Sequence, residues 1–109
     1  FISQQLNGLP AKELRAVAMD LLKDTNSTIV AVTTNDEGKG SAVVALSADL
    51  VGRYQAPELV KAAVAALGGA GGGGRPECAQ GGGAHGEKGA EALMAVRALL
   101  QRPLLSGNG

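Results

Sequence analysis

The sequence predicts an α/β domain, a small sandwich of two or three layers with a mixed sheet, about three helices and a glycine-rich loop. Apolar residues recur with helical spacing in some segments and as continuous strand-like runs in others, and the two patterns alternate along the chain. The 109 residues are enough for one hydrophobic core but not for two. Eleven of the 17 glycines lie between Gly68 and Gly89, which predicts the loop.

A strand and a helix are predicted first. Residues 1–6 form the strand, which the turn signal Asn7-Gly8 closes. Pro10 suits the first turn of a helix that runs to about Asp24. The apolar face of this helix has helical spacing and consists of Leu14, Val17, Ala18, Leu21 and Leu22.

Two strands follow, at residues 28–33 and 41–47. Neither shows polar alternation, which is typical of strands covered on both faces. The polar and glycine-containing segment 35–40 joins them as an antiparallel hairpin. Because a helix connects the first strand to the second, those two strands should be parallel.

Two more helices are predicted. One begins at residues 55–57, and Gly68 stands where a C-terminal glycine cap belongs. Its apolar stripe is Leu59, Val60, Ala63, Val64 and Leu67. The other runs from about Glu87 to a point before Pro103 and turns inward Leu93, Val96, Leu99 and Leu100.

Residues 78–83 could add a last edge strand, although glycine weakens strands unless another backbone must approach.

Residues 1–102 are expected to form one globular domain, and residues 103–109 a disordered tail.

Composition excludes several function classes. Ten basic and ten acidic residues cancel, which argues against capture of nucleic acid by an overall positive field. The single cysteine, Cys78, cannot form an internal disulfide, and no apolar stretch reaches the roughly 20 residues that a membrane span needs. A cytoplasmic protein without membrane contact is expected.

The sequence contains partial matches to known catalytic and cofactor-binding motifs, but the residues around each match do not fit the motif. Residues 69–74 match G-x-G-x-x-G but follow a helix instead of a strand, and Arg75-Pro76 replaces the Lys and Ser or Thr of a P-loop. Cys78 and His85 supply only two of the roughly four ligands of a zinc site, and no third partner completes a catalytic group. We expect Cys78 to be a small buried hydrophobe, and His85 a solvated loop residue.

Residues 71–82 resemble the glycine-rich signature G-G-G-R-P-D-x-A-Q-x-G-G of the C-terminal domain of alanyl-tRNA synthetases. Glu77 replaces the usual Asp, Cys78 the usual Met, and Gly81 an Ala. The order of strands and helices is also similar to that domain over about residues 1–102. The composition of the tract alone would equally suit a flexible linker, but its interior residues and the two flanking helices favour a shaped surface.

The resemblance implies a DHHA1-type domain, also called C-Ala, of a bacterial synthetase, placed after the aminoacylation and editing domains of the same chain. It implies that the domain grips the elbow of tRNA(Ala) and links aminoacylation with editing, without catalysis or a cofactor of its own. ATP and zinc would serve the parent ligase. In that family a helical segment beside this domain often mediates dimerisation, so the resemblance is also compatible with a homodimer.

The elbow of tRNA exposes a flat base pair, which a surface poor in side chains can approach closely. Arg75 suits a phosphate or a stacked base, Gln80 can donate and accept hydrogen bonds, and Pro76 stiffens the turn. The candidate RNA-binding residues are Gly71, Gly72, Gly73, Gly74, Arg75, Pro76, Gln80 and Gly82. Alternatively, Arg75 pairs with Glu77 or a helix end, and Gln80 caps local backbone.

Lysines elsewhere could also touch phosphate, but a solvated surface position accounts better for each of Lys39, Lys61 and Lys88.

Two other functions compete with RNA binding. DHH-family phosphoesterases carry a related domain with a G-G-G-H motif that holds substrate beside a metal centre, and residues 81–85 read G-G-G-A-H. Arg75-Pro76 and Ala79-Gln80 follow the synthetase signature instead. The glycine surface could also pack against its twin as a homodimerisation module.

Overall fold

The computed structural model describes residues 2–23, 26–69 and 72–101, which form five strands and three α-helices. In chain order these are β1 (Ile2–Asn7), α1 (Ala11–Leu22), β2 (Ile29–Asp36), β3 (Lys39–Leu46), α2 (Ala56–Ala66), β4 (Gly73–Arg75), β5 (Cys78–Gly83) and α3 (Gly89–Gln101). Short 3-10 helices span Ala48–Leu50 and Gly86–Lys88. Within the described ranges, no helix combines the length and the apolar character needed to cross a bilayer.

The sheet is mixed, with strand order β1-β2-β3-β5-β4. β1 pairs in parallel with β2, and β2 pairs antiparallel with β3, so both predicted orientations are confirmed. The turn between β2 and β3 consists of Glu37 and Gly38, both with positive φ (52° and 87°). The Gly38 amide donates to the Asn35 side-chain oxygen at 3.0 Å and closes this turn.

Helices cover both faces of the sheet and make three layers. Leu14 and Ala18 of α1 pack on one face against Val30, Val32 and Val43. On the other face, α2 and α3 pack against the alternate residues of the same strands: Ile29, Ala31, Ala42, Val44 and Leu46. The continuous apolar runs of β2 and β3 follow from this double coverage, and the predicted α/β class is confirmed.

The helices lie close to their predicted positions. α2 has Pro57 in its first turn, and Gly68 follows its end with φ +82°, as the predicted cap requires. α3 begins two residues after the predicted Glu87, because a 3-10 turn precedes it. Val96 is buried, and the other three predicted inward residues of α3 are partly buried.

Three predictions about the fold concern residues outside the described ranges: the start of the first strand at Phe1, the end of the first helix at Asp24, and the tail at 103–109.

The prediction that residues 78–83 form an edge strand is wrong in its position. They form β5, which lies between β3 and β4 and pairs antiparallel with both. The edge strand at this end of the sheet is β4, in the segment predicted as loop. A two-residue turn joins the two, and its carbonyls are fixed by other elements: Pro76 O accepts from the Ala56 amide (2.9 Å), and Glu77 O from the Leu46 amide (2.8 Å).

Candidate nucleic-acid interface

One part of the sheet is left open beside α1. This helix packs mainly on β2 and β3, so the same face of β5 and β4 extends beyond it. Side chains alternate along a strand, and the buried Cys78 and Ala79 belong to the cores on opposite faces. The open surface on the α1 side, which we call the glycine face, consists of Ser41, Gly73, Arg75, Gln80 and Gly82.

Two adjoining depressions shape this surface. A groove of about 280 Å³ lies between α1 and the β4–β5 hairpin, and we call it the arginine groove because Arg15 and Arg75 both line it. The second depression, of about 240 Å³, is lined by Ser41 and Gly82 among others. The Gln80 side chain borders both, so the two depressions form a continuous surface.

The polar side chains of the arginine groove form no ion pair or side-chain hydrogen bond with the residues that the structure describes. Over residues 2–23, 26–69 and 72–101, neither Arg15 nor Arg75 forms an ion pair, and the Gln80 amide forms no hydrogen bond. The alternative pairing of Arg75 with Glu77 is therefore absent among these residues. Both guanidinium groups and the amide are available to a ligand.

Glycines in the tract differ in what surrounds them. A Cβ at Gly73 would have no atom within 4 Å, so the backbone there is open to an approaching group. A Cβ at Gly82 would stand 2.6 Å from the Gly40 carbonyl oxygen, so this glycine is needed for close packing inside the sheet. Gly72 faces the other side, where Val60 of α2 lies 3.2 Å from its Cβ position.

The structure thus sorts the predicted site residues into groups. Gly73, Gly74, Arg75 and Gln80 meet around the arginine groove, and Gly82 lies in the adjoining depression. Pro76 lies in the anchored turn. Gly72 faces α2, on the side away from the groove. Gly71 lies outside the described residues.

Arg15 is the site residue that sequence reasoning missed. The helical spacing of the apolar residues places Arg15 on the exposed side of α1, next to the buried Leu14. One helical position rotates a side chain by about 100°, so Arg15 lies on the flank of the helix. Which strands border that flank depends on the strand order, which no local pattern in the sequence predicts.

Cys78 and His85 have the predicted environments. Cys78 is only 6% exposed and forms part of the core beneath α1. His85 is exposed, with Nδ1 3.4 Å from a Glu87 carboxylate oxygen, and its ring lies against Gly68 at the end of α2. No group of three or more His, Cys, Asp or Glu residues that could hold a metal occurs in the part of the chain that the structure describes.

Comparisons with known proteins agree on one family. A family model described as the DHHA1 domain matches residues 1–102. Alanine–tRNA ligases of Rhizorhabdus wittichii and Caulobacter vibrioides are each 46% identical to this chain, over 102 and 99 residues. These matches cover 94% and 91% of the chain but only 12% and 11% of the ligases.

A solved structure, the C-Ala domain from Aquifex aeolicus alanyl-tRNA synthetase, has the same fold, with a TM-score of 0.85 at 28% identity. The match covers 93% of this chain and 90% of that domain.

Proposed function

The chain belongs to the DHHA1 domain family, and from that membership we propose that it is the tRNA-binding C-terminal domain of an alanyl-tRNA synthetase. In this role it binds the elbow of tRNA(Ala) and holds the RNA for the aminoacylation and editing domains of the same chain. It contributes no catalytic group itself, and ATP and zinc act elsewhere in the parent ligase. The open glycine face beside α1 is the observation that carries the proposal.

The chemistry of the glycine face suits a flat, wet RNA surface. RNA helices have a deep major groove that side chains cannot read, so proteins recognise RNA by its shape, by stacking on exposed bases and by backbone contacts. With no Cβ at Gly73, a base can lie directly on the strand. Gln80 can donate to or accept from a base edge, while Arg75 can stack on a base or bind phosphate.

Zero net charge is compatible with this role if the domain is tethered to the rest of a synthetase. A short flexible tether gives a binding module an effective concentration near the millimolar range. Weak and local contacts are then sufficient, and a strongly basic surface is unnecessary. The two exposed arginines of the groove provide positive charge where the glycine face needs it.

The proposal is tested by comparing two RNAs at matched ionic strength, because such affinities depend strongly on salt. One is intact tRNA(Ala), and the other is a hairpin of its acceptor stem without the D and T loops. Fluorescence anisotropy should show binding to the tRNA and at least about tenfold weaker binding to the hairpin. Equal affinities would refute elbow recognition.

Sedimentation of the domain and of Arg75→Glu addresses self-association. Loss of tRNA binding with an unchanged sedimentation coefficient supports the proposal. Dissociation of a wild-type dimer by the substitution would instead favour the homodimerisation module, in which the glycine face contacts a second copy.

A further inference from the structure

We infer that the arginine groove is a phosphodiester site of the RNA-binding surface, and that Arg15 of α1 is a binding residue in it alongside Arg75. The inference rests on the proposed function and assigns a ligand group to one part of the glycine face. Arg15 lies far from the glycine-rich tract in the sequence, and the fold brings it to the same groove as Arg75.

The positive charge of the arginine groove favours an anionic ligand. Among the described residues, the ionisable side chains that line it are the two arginines and the Cys78 thiol, and no described carboxylate lines it. Within the described residues neither arginine has an acidic partner. In a chain of zero net charge, two guanidinium groups without an acidic partner at one groove concentrate positive potential there.

The remaining groups of the groove suit phosphate oxygens. Guanidinium presents a planar set of donors that matches phosphate in a bidentate geometry. The Gln80 amide adds neutral donors. Gly73 and Gly74 belong to the edge strand β4, and an edge strand leaves alternate N–H groups without a strand partner. With no side chain at Gly73, a phosphate can approach that backbone.

The lysines of this chain are less suited to the role. Lys88 pairs with Glu91 at 3.7 Å. The other four lysines, Lys12, Lys23, Lys39 and Lys61, line neither depression of the glycine face. The site therefore depends on arginine side chains from two separate elements.

The experiment measures tRNA(Ala) affinity against salt concentration for Arg15→Gln, Arg75→Gln and Arg97→Gln. Arg97 is an exposed arginine of α3, on the opposite side of the sheet, so it is the matched control. Each phosphate neutralised by a protein cation contributes about −0.7 to −0.9 to the slope of log K against log salt. We expect Arg15→Gln to lower affinity about tenfold at low salt and to flatten this slope by up to about one unit.

Arg15→Lys adds a second readout. It keeps the charge but not the planar pair of donors, so it should restore the salt slope and only part of the affinity. Equal melting temperatures of all variants would show that the exposed positions do not alter folding.

Each outcome is decisive. If Arg15→Gln behaves like Arg97→Gln, the inference is overturned, while the proposed function stands as long as the wild type still prefers tRNA to the hairpin. If affinity falls without any change of slope, the contact is not to phosphate and the inference also fails. If the wild type does not distinguish the two RNAs, the proposed function itself fails.

Discussion

The backbone of Gly69 lies directly against the carbonyl oxygen of Gly82, so that a Cβ at Gly69 would overlap this oxygen. Gly83 stands in the same relation to the carbonyl of Leu67. The end of α2 and the end of β5 therefore meet backbone to backbone. Gly73, on the open surface, has no such neighbour. The tract thus contains glycines that packing requires, and it contains Gly73, where packing leaves room for a side chain.

Alanine substitutions should separate these two classes. Gly69→Ala should lower the free energy of unfolding by about 1–3 kcal/mol, because a backbone atom cannot move aside cheaply. Gly73→Ala should change it by less than about 0.5 kcal/mol and yet weaken tRNA binding. Urea unfolding and anisotropy measure the two effects. A Gly73→Ala protein that binds tRNA like the wild type would contradict a close RNA contact at this strand.

Valine substitutions at two neighbouring buried threonines should change the free energy of unfolding in opposite directions. Thr33 is buried, and no hydrogen-bond partner for its hydroxyl occurs in the described part of the chain. The hydroxyl of Thr34, by contrast, donates to the Leu9 carbonyl oxygen at 3.0 Å and accepts from the Leu9 amide at 3.2 Å. Thr33→Val should raise the free energy of unfolding by about 1 kcal/mol, and Thr34→Val should lower it by about 1–3 kcal/mol. Destabilisation by Thr33→Val would indicate a bound water at that hydroxyl.

The turn between β2 and β3 has a residue poorly suited to its conformation. Glu37 has φ 52°, a region that favours glycine and asparagine. Glu37→Asn should therefore stabilise the domain by on the order of 0.5 kcal/mol, and Gly38→Ala, at φ 87°, should destabilise it. Thermal melting of both variants checks the prediction, which fails if Glu37→Asn lowers the midpoint.

Asp49 should make the stability of the fold depend on pH in the acidic range. Hydrogen bonds from the Ser47 hydroxyl and from the Ser27 amide and hydroxyl lower the pKa of Asp49 from 3.8 to about 2. A carboxylate with a lower pKa in the folded state stabilises the fold above its unfolded pKa, and this contribution is lost as pH falls through the folded pKa.

The difference in melting temperature between wild type and Asp49→Asn should therefore be largest above about pH 5 and should shrink toward about pH 2. Asp20→Asn on α1 is the control of identical chemistry. A difference that stays constant over this range would show that the Asp49 contacts do not depend on its charge.

Most of the fold could be predicted because its elements carry strong side-chain patterns. The buried runs of β2 and β3 and the apolar stripes of the helices specify conformation locally. Gly73–Arg75 carries no such pattern, and this segment is a strand because β5 provides its hydrogen-bond partners in the register Gly73 with Gln80. Tertiary pairing of this kind leaves no local signal in the sequence.

The candidate site was predictable only in part for the same reason. The signature residues Arg75 and Gln80 do line the groove. Gly72 is next to Gly73 in the sequence, but it lies just before β4 and faces α2, where Val60 is 3.2 Å from its Cβ position. The position of Arg15 beside the hairpin follows from the strand order, so only the three-dimensional arrangement identifies it.

The turn at Pro76 and Glu77 has a consequence for the order of assembly. The β4–β5 hairpin has few side chains to bury, and its turn is fixed by amides of Ala56 and Leu46. We therefore expect the hairpin to dock only after α2 and β3 are in place, and to open before they do. Amide hydrogen exchange should then be faster in this hairpin than in β2 and β3, and a bound RNA would slow it there without altering exchange in those central strands.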